Sequence, residues 1–495
     1  MLILFISFVA GALAVAGFAP LQAYPLPLLA LAVLFALLAR ASNSRAGFLI
    51  GLAFGLGLFG TGVSWIYVSL AVYGNMVAWL AALATLLFCL VLALFPAAVG
   101  ALQARCAQDR ATRLLLVLPV LWVLLEWTRG WLFTGFPWLA MGYSQVPHGP
   151  LAGFAPLVGV YGVSLLMALA AGLLVWTAQS WRNRAHLLWG LCGLAALLIG
   201  GQALRQVDWT TPVGEPTSVA LLQGNIPQDL KWQPEKIADT LRLYARMAEA
   251  HPAQLIVMPE TALPLFESEL PAEYRERLDA IGRGNGGDVL AGLATGSIYG
   301  DYFNSVMSFG SAPGQTYHKV HLVPFGEYIP LRPLWGWVVK VLHIPLSDFA
   351  RGSTAQQPMT VGGQRVAANI CYEDVFGEEI IRQLPEATVL VNMSNLAWFG
   401  DSLSPWQHAQ ISQMRALETG RMMLRATNTG VTAIIDAKGN QLAWLPLFTE
   451  GVLKGDIQGY AGATPYVRWG NLPVLAACFG LLGLAVMRCR FRRRP

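Results

Sequence analysis

Charge is what this chain of 495 residues has least of. Asp, Glu, Lys and Arg together make up 12%, against about a quarter in soluble domains, while 55% of its residues are hydrophobic. With a mean hydropathy of +0.51, this composition excludes a purely soluble globular protein and a disordered one alike. Cysteine is equally sparse: six residues cannot build a disulfide scaffold in a chain of this size. No Lys or Arg precedes Arg40, so the basic leader of a cleavable secretory signal is missing, and the first apolar stretch is expected to stay on as a helix. Neither an internal repeat at a solenoid period nor a low-complexity segment occurs.

What the chain does have is long uncharged runs. Eight segments, 2–18, 24–39, 47–69, 76–102, 114–134, 153–177, 187–204 and 472–487, approach the roughly 20 apolar residues that cross a bilayer. They predict a membrane domain of seven transmembrane helices over 1–204, an exported domain over 205–471, and an eighth helix with a basic cytoplasmic tail over 472–495. Arg40 and Arg45, then Arg105, Arg110 and Arg113, then Arg182 and Arg184 make every second connection basic, whereas the connections after the first and third spans have no Lys or Arg. Both termini are therefore expected on the cytoplasmic side. The tail arginines 488, 490 and 492–494 account for the net charge of +5, so no nucleic-acid partner is called for. Of the cysteines only Cys371 falls in the exported segment, which makes it either a buried small apolar residue or a thiol kept for its chemistry.

From 205 to 471 the pattern turns to short Val, Ile and Leu runs between polar helical stretches. "SVALLQGNI" (218–226), "LIVMPET", 289–295, 365–372, 388–395 and 431–440 are predicted strands, and 234–250 is a predicted amphipathic helix. Alternation of this kind argues for an α/β layered domain, whose sites form at strand ends. Three such places carry reactive groups: Glu260, Lys319 and Cys371. Together they can perform acyl transfer, with the thiolate as nucleophile, the carboxylate as proton carrier, and the ammonium supporting thiolate and oxyanion.

The motifs "MPETALP" (258–264), "HKVHLVPFGEYIP" (318–330) and "NICYEDVF" (369–376) resemble, in that order, the nitrilase superfamily. With the flanking apolar helices, nearly the whole chain resembles the membrane-embedded branch of that superfamily, the apolipoprotein N-acyltransferases. The resemblance implies a nitrilase-like αββα sandwich inserted before the last of eight transmembrane helices, on the periplasmic face of the bacterial inner membrane. It implies Cys371 as nucleophile, Glu260 as general base and acid, Lys319 as oxyanion partner and Glu327 as an orienting carboxylate. The amides of Tyr372 and Glu373 would complete an oxyanion hole, and Trp232 would stand near the substrate entrance. The implied reaction carries a fatty acyl chain from a phospholipid, with phosphatidylethanolamine as the expected donor, through a Cys371 thioester to the N-terminal α-amine of a lipoprotein's diacylglyceryl-cysteine. No cofactor is implied.

Other readings remain open beside it. A membrane-tethered amidase or nitrilase-type hydrolase would use the same three residues and end with water, although eight helices exceed what a tether needs. A transporter with an exported binding module predicts charges along a membrane pathway. One intramembrane pair, Glu126 and Arg129, occurs in the fifth span, where i, i+3 spacing lets it form a structural ion pair or meet phospholipid headgroups or the exported domain. His318 and His321 flank Lys319, yet three residues apart on a strand they point to opposite faces, so no metal site is expected. A papain-like pair of Cys371 with His343 or His408 is a further possibility, and nothing local singles out either histidine.

Overall fold

The computed structural model of the chain describes residues 1–106, 109–330, 333 and 348–492. His343 lies outside the described residues. Two compact units emerge: one takes Met1–Tyr67, Trp79–Asp208 and Arg468–Pro495, the other Val68–Ala78 and Trp209–Val467. The short stretch Val68–Ala78, read from the sequence as part of the membrane domain, thus groups with the second unit.

The first unit is helical. Among the described residues, five helices are long and apolar enough to cross a bilayer: Ser44–Gly62, Ala78–Arg105, Arg110–Arg129, Pro150–Gln179 and Arg184–Leu204. Three shorter apolar helices, Leu2–Gly17, Pro25–Leu38 and Leu472–Ala485, occupy the other predicted spans. The predicted span 47–69 is interrupted after Gly62 and resumes as the short helix Trp65–Val68; in the turn before the break the Thr61 hydroxyl donates back to the Gly57 carbonyl at 2.7 Å. Leu86, Val91, Trp189 and Ile199 stand exposed on these helices, a surface suited to hydrocarbon rather than water. The chain is a membrane protein. Gly47 and Gly100 let two helices touch backbone to backbone, since a Cβ on either would run into the carbonyl of the other.

The second unit is built on two six-stranded sheets. The first has the order β12-β1-β2-β3-β4-β5, with β1 Thr211–Gln223, β2 Leu255–Val257, β3 Asp288–Gly296, β4 Tyr302–Gly310, β5 Thr316–His318 and β12 Gly451–Ala461. The second has the order β11-β10-β9-β8-β7-β6, with β6 Met359–Val361, β7 Gln364–Ile370, β8 Val389–Ser394, β9 Met423–Thr427, β10 Ala433–Ile435 and β11 Gln441–Trp444. The period of two along each strand divides the apolar residues between faces. Val219, Leu221 and Val257 meet Val366, Ala368, Ile370 and Val391 between the sheets. Ala220, Leu222 and Ile256 point the other way, onto the helices Pro234–Ala250 and Ala272–Gly284. Ala367, Leu390 and Met423 cover the opposite outer face, where the helix Ser404–Thr419 packs. The result is an αββα sandwich whose central strands are apolar on both faces, which is why they read as continuous apolar runs.

Candidate active site

Three strand ends carry the reactive groups. Parallel β2 leads through Met258 and Pro259 to Glu260, and the next residue, Thr261, takes a left-handed φ of +51°. Lys319 directly follows β5, its N–H donating to the Asn304 carbonyl at 2.9 Å. β7 ends at Ile370, two residues short of the predicted 365–372, and Cys371 opens a tight turn with φ +52°. For a residue with a Cβ this is a strained backbone, persisting only because its surroundings hold it.

Those surroundings are identifiable. The buried Glu373 carboxylate accepts the N–H groups of Ile370 at 2.6 Å, Val320 at 2.7 Å and His321 at 3.1 Å, and the Tyr317 hydroxyl at 3.0 Å. It therefore clamps the Cys371 turn to the segment that carries Lys319. From the other side, Asn392 and His408 each reach the Cys371 carbonyl at 3.1 Å. Arg425 donates to Nδ1 of His408 at 2.9 Å, so Nδ1 accepts and Nε2 carries the proton, which it shares between the Cys371 carbonyl and Asp374 at 2.6 Å. His408 is thus committed to the backbone and carboxylate around Cys371, which does not suit it to act as a papain-like base. Burial and Arg425 also hold its pKa below the ordinary value.

Inside this frame Lys319, 1% exposed, places its ammonium 2.9 Å from Oε1 of Glu327 and 3.4 Å from Oε1 of Glu260. Asn304 bridges the same two carboxylates, donating to Glu260 at 2.8 Å and to Glu327 at 2.9 Å. The second oxygen of Glu260 takes the Asn395 N–H at 2.8 Å, and that of Glu327 takes the Val323 N–H at 2.8 Å. Burial pulls the Lys319 ammonium down, but Glu327 and Glu260 more than offset it and keep its pKa above the ordinary lysine value. Burial, with Glu260 and Glu327, likewise pushes the Cys371 thiol up, and Lys319 only partly opposes them. The resting group is therefore the thiol, not the thiolate that an adjacent ammonium alone would suggest, and the proton must leave as the reaction begins.

The remaining predicted residues fall in different places. Tyr372 forms part of the Cys371 turn and lies edge-on to Phe376, with ring centroids 5.2 Å apart. Trp232 is half-buried in the turn ahead of the helix that starts at Pro234. His318 bonds Ser305 at 2.8 Å, whereas His321 stacks on Phe376 at 3.6 Å, so the two rings take separate partners. Among the described residues, no three His, Cys, Asp or Glu side chains converge to hold a metal ion. Glu126 and Arg129, both 4% exposed, lie in the helical unit and are engaged with the backbone of one loop. Glu126 accepts the Met141 N–H at 2.9 Å, and Arg129 donates to the Phe136 carbonyl at 2.5 Å and to the Trp138 carbonyl at 2.7 Å.

Two family profiles match the chain. Residues 10–173 fit the apolipoprotein N-acyltransferase N-terminal domain, and residues 218–466 fit carbon-nitrogen hydrolase. A Nitrosomonas europaea protein named apolipoprotein N-acyltransferase is 53% identical over 490 residues, covering 99% of this chain and 97% of its own. The chain belongs to the apolipoprotein N-acyltransferase family. A Methylococcus capsulatus protein of the same name is 46% identical, over 96% of this chain and 94% of its own. A solved amidase of the nitrilase superfamily from Nesterenkonia AN1 matches 54% of this chain and 98% of its own with a TM-score of 0.40 and 19% identity, too low to bear on function. Membership makes the chain an enzyme of the carbon-nitrogen hydrolase superfamily with a nitrilase-like fold.

Sequence reasoning missed Asn304, Asn395, Lys231, Asp374 and Arg425, and raised His408 only as a possible base, not as the partner of Asp374 and Arg425. A signal existed for two of them: Asn304 is a polar residue in the middle of an apolar strand, and Lys231 sits beside the Trp232 that was singled out instead.

Proposed function

We propose that the enzyme transfers a fatty acyl chain from a membrane phospholipid to the N-terminal α-amine of a diacylglyceryl-cysteine lipoprotein, through a thioester on Cys371. The observation that carries this reading is a buried Lys319 set between Glu260 and Glu327, beside a cysteine held in a strained turn, in a chain of this family. Glu260 takes the proton of the Cys371 thiol as sulfur attacks the ester carbonyl. The oxyanion that forms faces the Lys319 ammonium and the amides at Tyr372 and Glu373. Collapse breaks the ester bond, Glu260 returns its proton to the departing glycerol oxygen, and lysophospholipid leaves. The acceptor amine then attacks the thioester, passes a proton to Glu260, and expels the sulfur, which recovers that proton as a thiol. Glu327 and Asn304 keep Lys319 and Glu260 in register throughout, and Glu373 anchors the turn.

In this reading phosphatidylethanolamine is the donor, Trp232 stands near the substrate entrance, and Glu126 and Arg129 shape the loop through which the helices meet lipid headgroups. The chain is placed in the bacterial inner membrane with both termini cytoplasmic, a membrane domain over 1–204, a periplasmic catalytic domain over 205–471, and the last helix and tail over 472–495. Both lipids would lie in the outer leaflet, so anchoring the catalytic domain beside it raises the local concentration of each. The test is incubation of the purified full-length protein with labelled phospholipid and a diacylglyceryl-cysteine lipopeptide. Equal amounts of lysophospholipid and N-acylated lipopeptide are expected. Free fatty acid with unmodified lipopeptide would make water the acceptor and overturn the reading.

A further inference from the structure

The charges around Cys371 do not balance without a residue that the mechanism above leaves unused. Lys319 is shared by two carboxylates, Glu260 and Glu327, so these three groups together carry one negative charge. Arg425 and Asp374 pair at 3.3 Å and cancel. When the Cys371 proton passes to Glu260, that surplus negative charge moves from carboxylate to sulfur and is still uncompensated in a buried site, which is costly where the dielectric is low.

Lys231 supplies the missing cation. Its ammonium is 3% exposed and donates to the main-chain carbonyl of Glu260 at 3.2 Å. Among the described residues that carbonyl is its one hydrogen-bond acceptor, and no carboxylate there lies within ion-pair distance of it. A buried ammonium with so little local compensation costs several kcal/mol as a purely structural feature. The surplus negative charge beside it is what makes the position tenable. The bonded carbonyl also belongs to the peptide that leads into Thr261, whose φ of +51° is unfavourable for a β-branched residue. Lys231 therefore grips Glu260 from the main-chain side, while Asn304 and Asn395 hold its carboxylate.

We propose that Lys231 is a positioning residue that fixes the Glu260 peptide and supplies the positive charge against which the Cys371 thiolate forms. The proposal rests on Cys371 being the nucleophile, and it deepens the account of that same site. Burial lowers the Lys231 pKa to about 8, with Glu260 and Cys371 acting to hold it up, so the compensating charge is present at neutral pH and lost in mild alkali. The other groups facing the thiol are Glu260, Glu327, Lys319 and Arg425. Glu373, which burial raises to about 7, anchors the same turn. All five are unchanged in a Lys231 variant, so a difference between two pH profiles isolates Lys231.

The test is the rate of Cys371 alkylation by iodoacetamide in the full-length protein in detergent, read from the Cys371 peptide by mass spectrometry between pH 6 and 10. In the wild type the rate should flatten near pH 8, as Lys231 loses its charge. Lys231→Met should react about tenfold more slowly at pH 7, rise without that bend, and converge with the wild type above pH 9. Lys231→Arg, charged throughout, should keep the neutral rate and also lack the bend. Superimposable profiles for wild type and Lys231→Met would overturn the proposal. Should Lys231→Met fail to fold, Lys231→Arg decides, because a bend that persists in it cannot come from Lys231. Alkylation needs no lipid, so failure here leaves the acyl-transfer reading standing, and failure of acyl transfer leaves this result intact.

Discussion

Glu260→Gln separates two effects that a single carboxylate has on Cys371. In the native site its Oε1 accepts Asn304 at 2.8 Å and Lys319 at 3.4 Å, and its Oε2 accepts the Asn395 N–H at 2.8 Å. An amide offers one acceptor oxygen, so whichever way it turns, its NH2 meets a donor, at a cost of about 1–3 kcal/mol read as a lower melting temperature. Lys319 keeps Glu327 at 2.9 Å and stays in place. The thiol, meanwhile, loses a negative neighbour that pushes its pKa up, so iodoacetamide should alkylate Cys371 faster than in the wild type at neutral pH. Acyl-enzyme formation should nonetheless fall by roughly 10²–10⁴-fold, because the departing glycerol oxygen no longer receives a proton. Alkylation and single-turnover transfer from a labelled phospholipid, measured on the same preparation, report the two effects separately. If both rates rose together, Glu260 would not be the proton carrier.

Other perturbations probe the frame. Cys371→Ala and Cys371→Gly should both abolish thioester formation, but Gly accepts the +52° backbone without strain, so it should melt higher, by about 1 kcal/mol of stability; equal melting would show that the turn is not strained. His408→Ala removes a donor to Asp374 and to the Cys371 carbonyl and should cost about 2 kcal/mol, while leaving the pH profile of Cys371 alkylation unchanged; a collapse of alkylation at neutral pH would restore a histidine base. Burial raises Glu373 to about 7 against the opposing pull of Lys319 and three N–H donors. The native state then holds a proton that the unfolded chain releases near its ordinary value, so this group lowers stability as pH rises from about 4.5 to about 7, by up to about 3 kcal/mol. Melting temperatures across that range should show this slope in the wild type and lose it in Glu373→Gln; parallel curves would refute it.

The sequence made Glu260 and Cys371 legible because each ends an apolar run, and a layered α/β domain presents strand ends at its sites; Lys319, after "GQTYH", was legible from its motif. It also placed the helix over 234–250, where Pro234–Ala250 is found, since its apolar stripe has a helical period. Strand β12 went unread, because "GVLKGDIQGYA" mixes Gly, charge and apolar residues without a clear period, and only its long antiparallel pairing with β1 makes it a strand. That same pairing carries β1 back to Thr211, ahead of the predicted start at 218. The left-handed turn at Cys371 could not be read either, since no local residue such as glycine announces it, and it depends on Glu373, Asn392 and His408. The clusters around Glu260 share this character. Asn304, Lys231 and Asn395 are distant in sequence and meet only once both sheets have formed.

The acyl-enzyme itself offers the most direct test. The full-length protein is incubated with phospholipid and no acceptor, and the Cys371 peptide is then analysed by mass. The account predicts one fatty acyl adduct on Cys371 that hydroxylamine removes and that a diacylglyceryl-cysteine lipopeptide discharges as an amide. An acylated lipopeptide formed at full rate while Cys371 stays unmodified, or by Cys371→Ala, would contradict it.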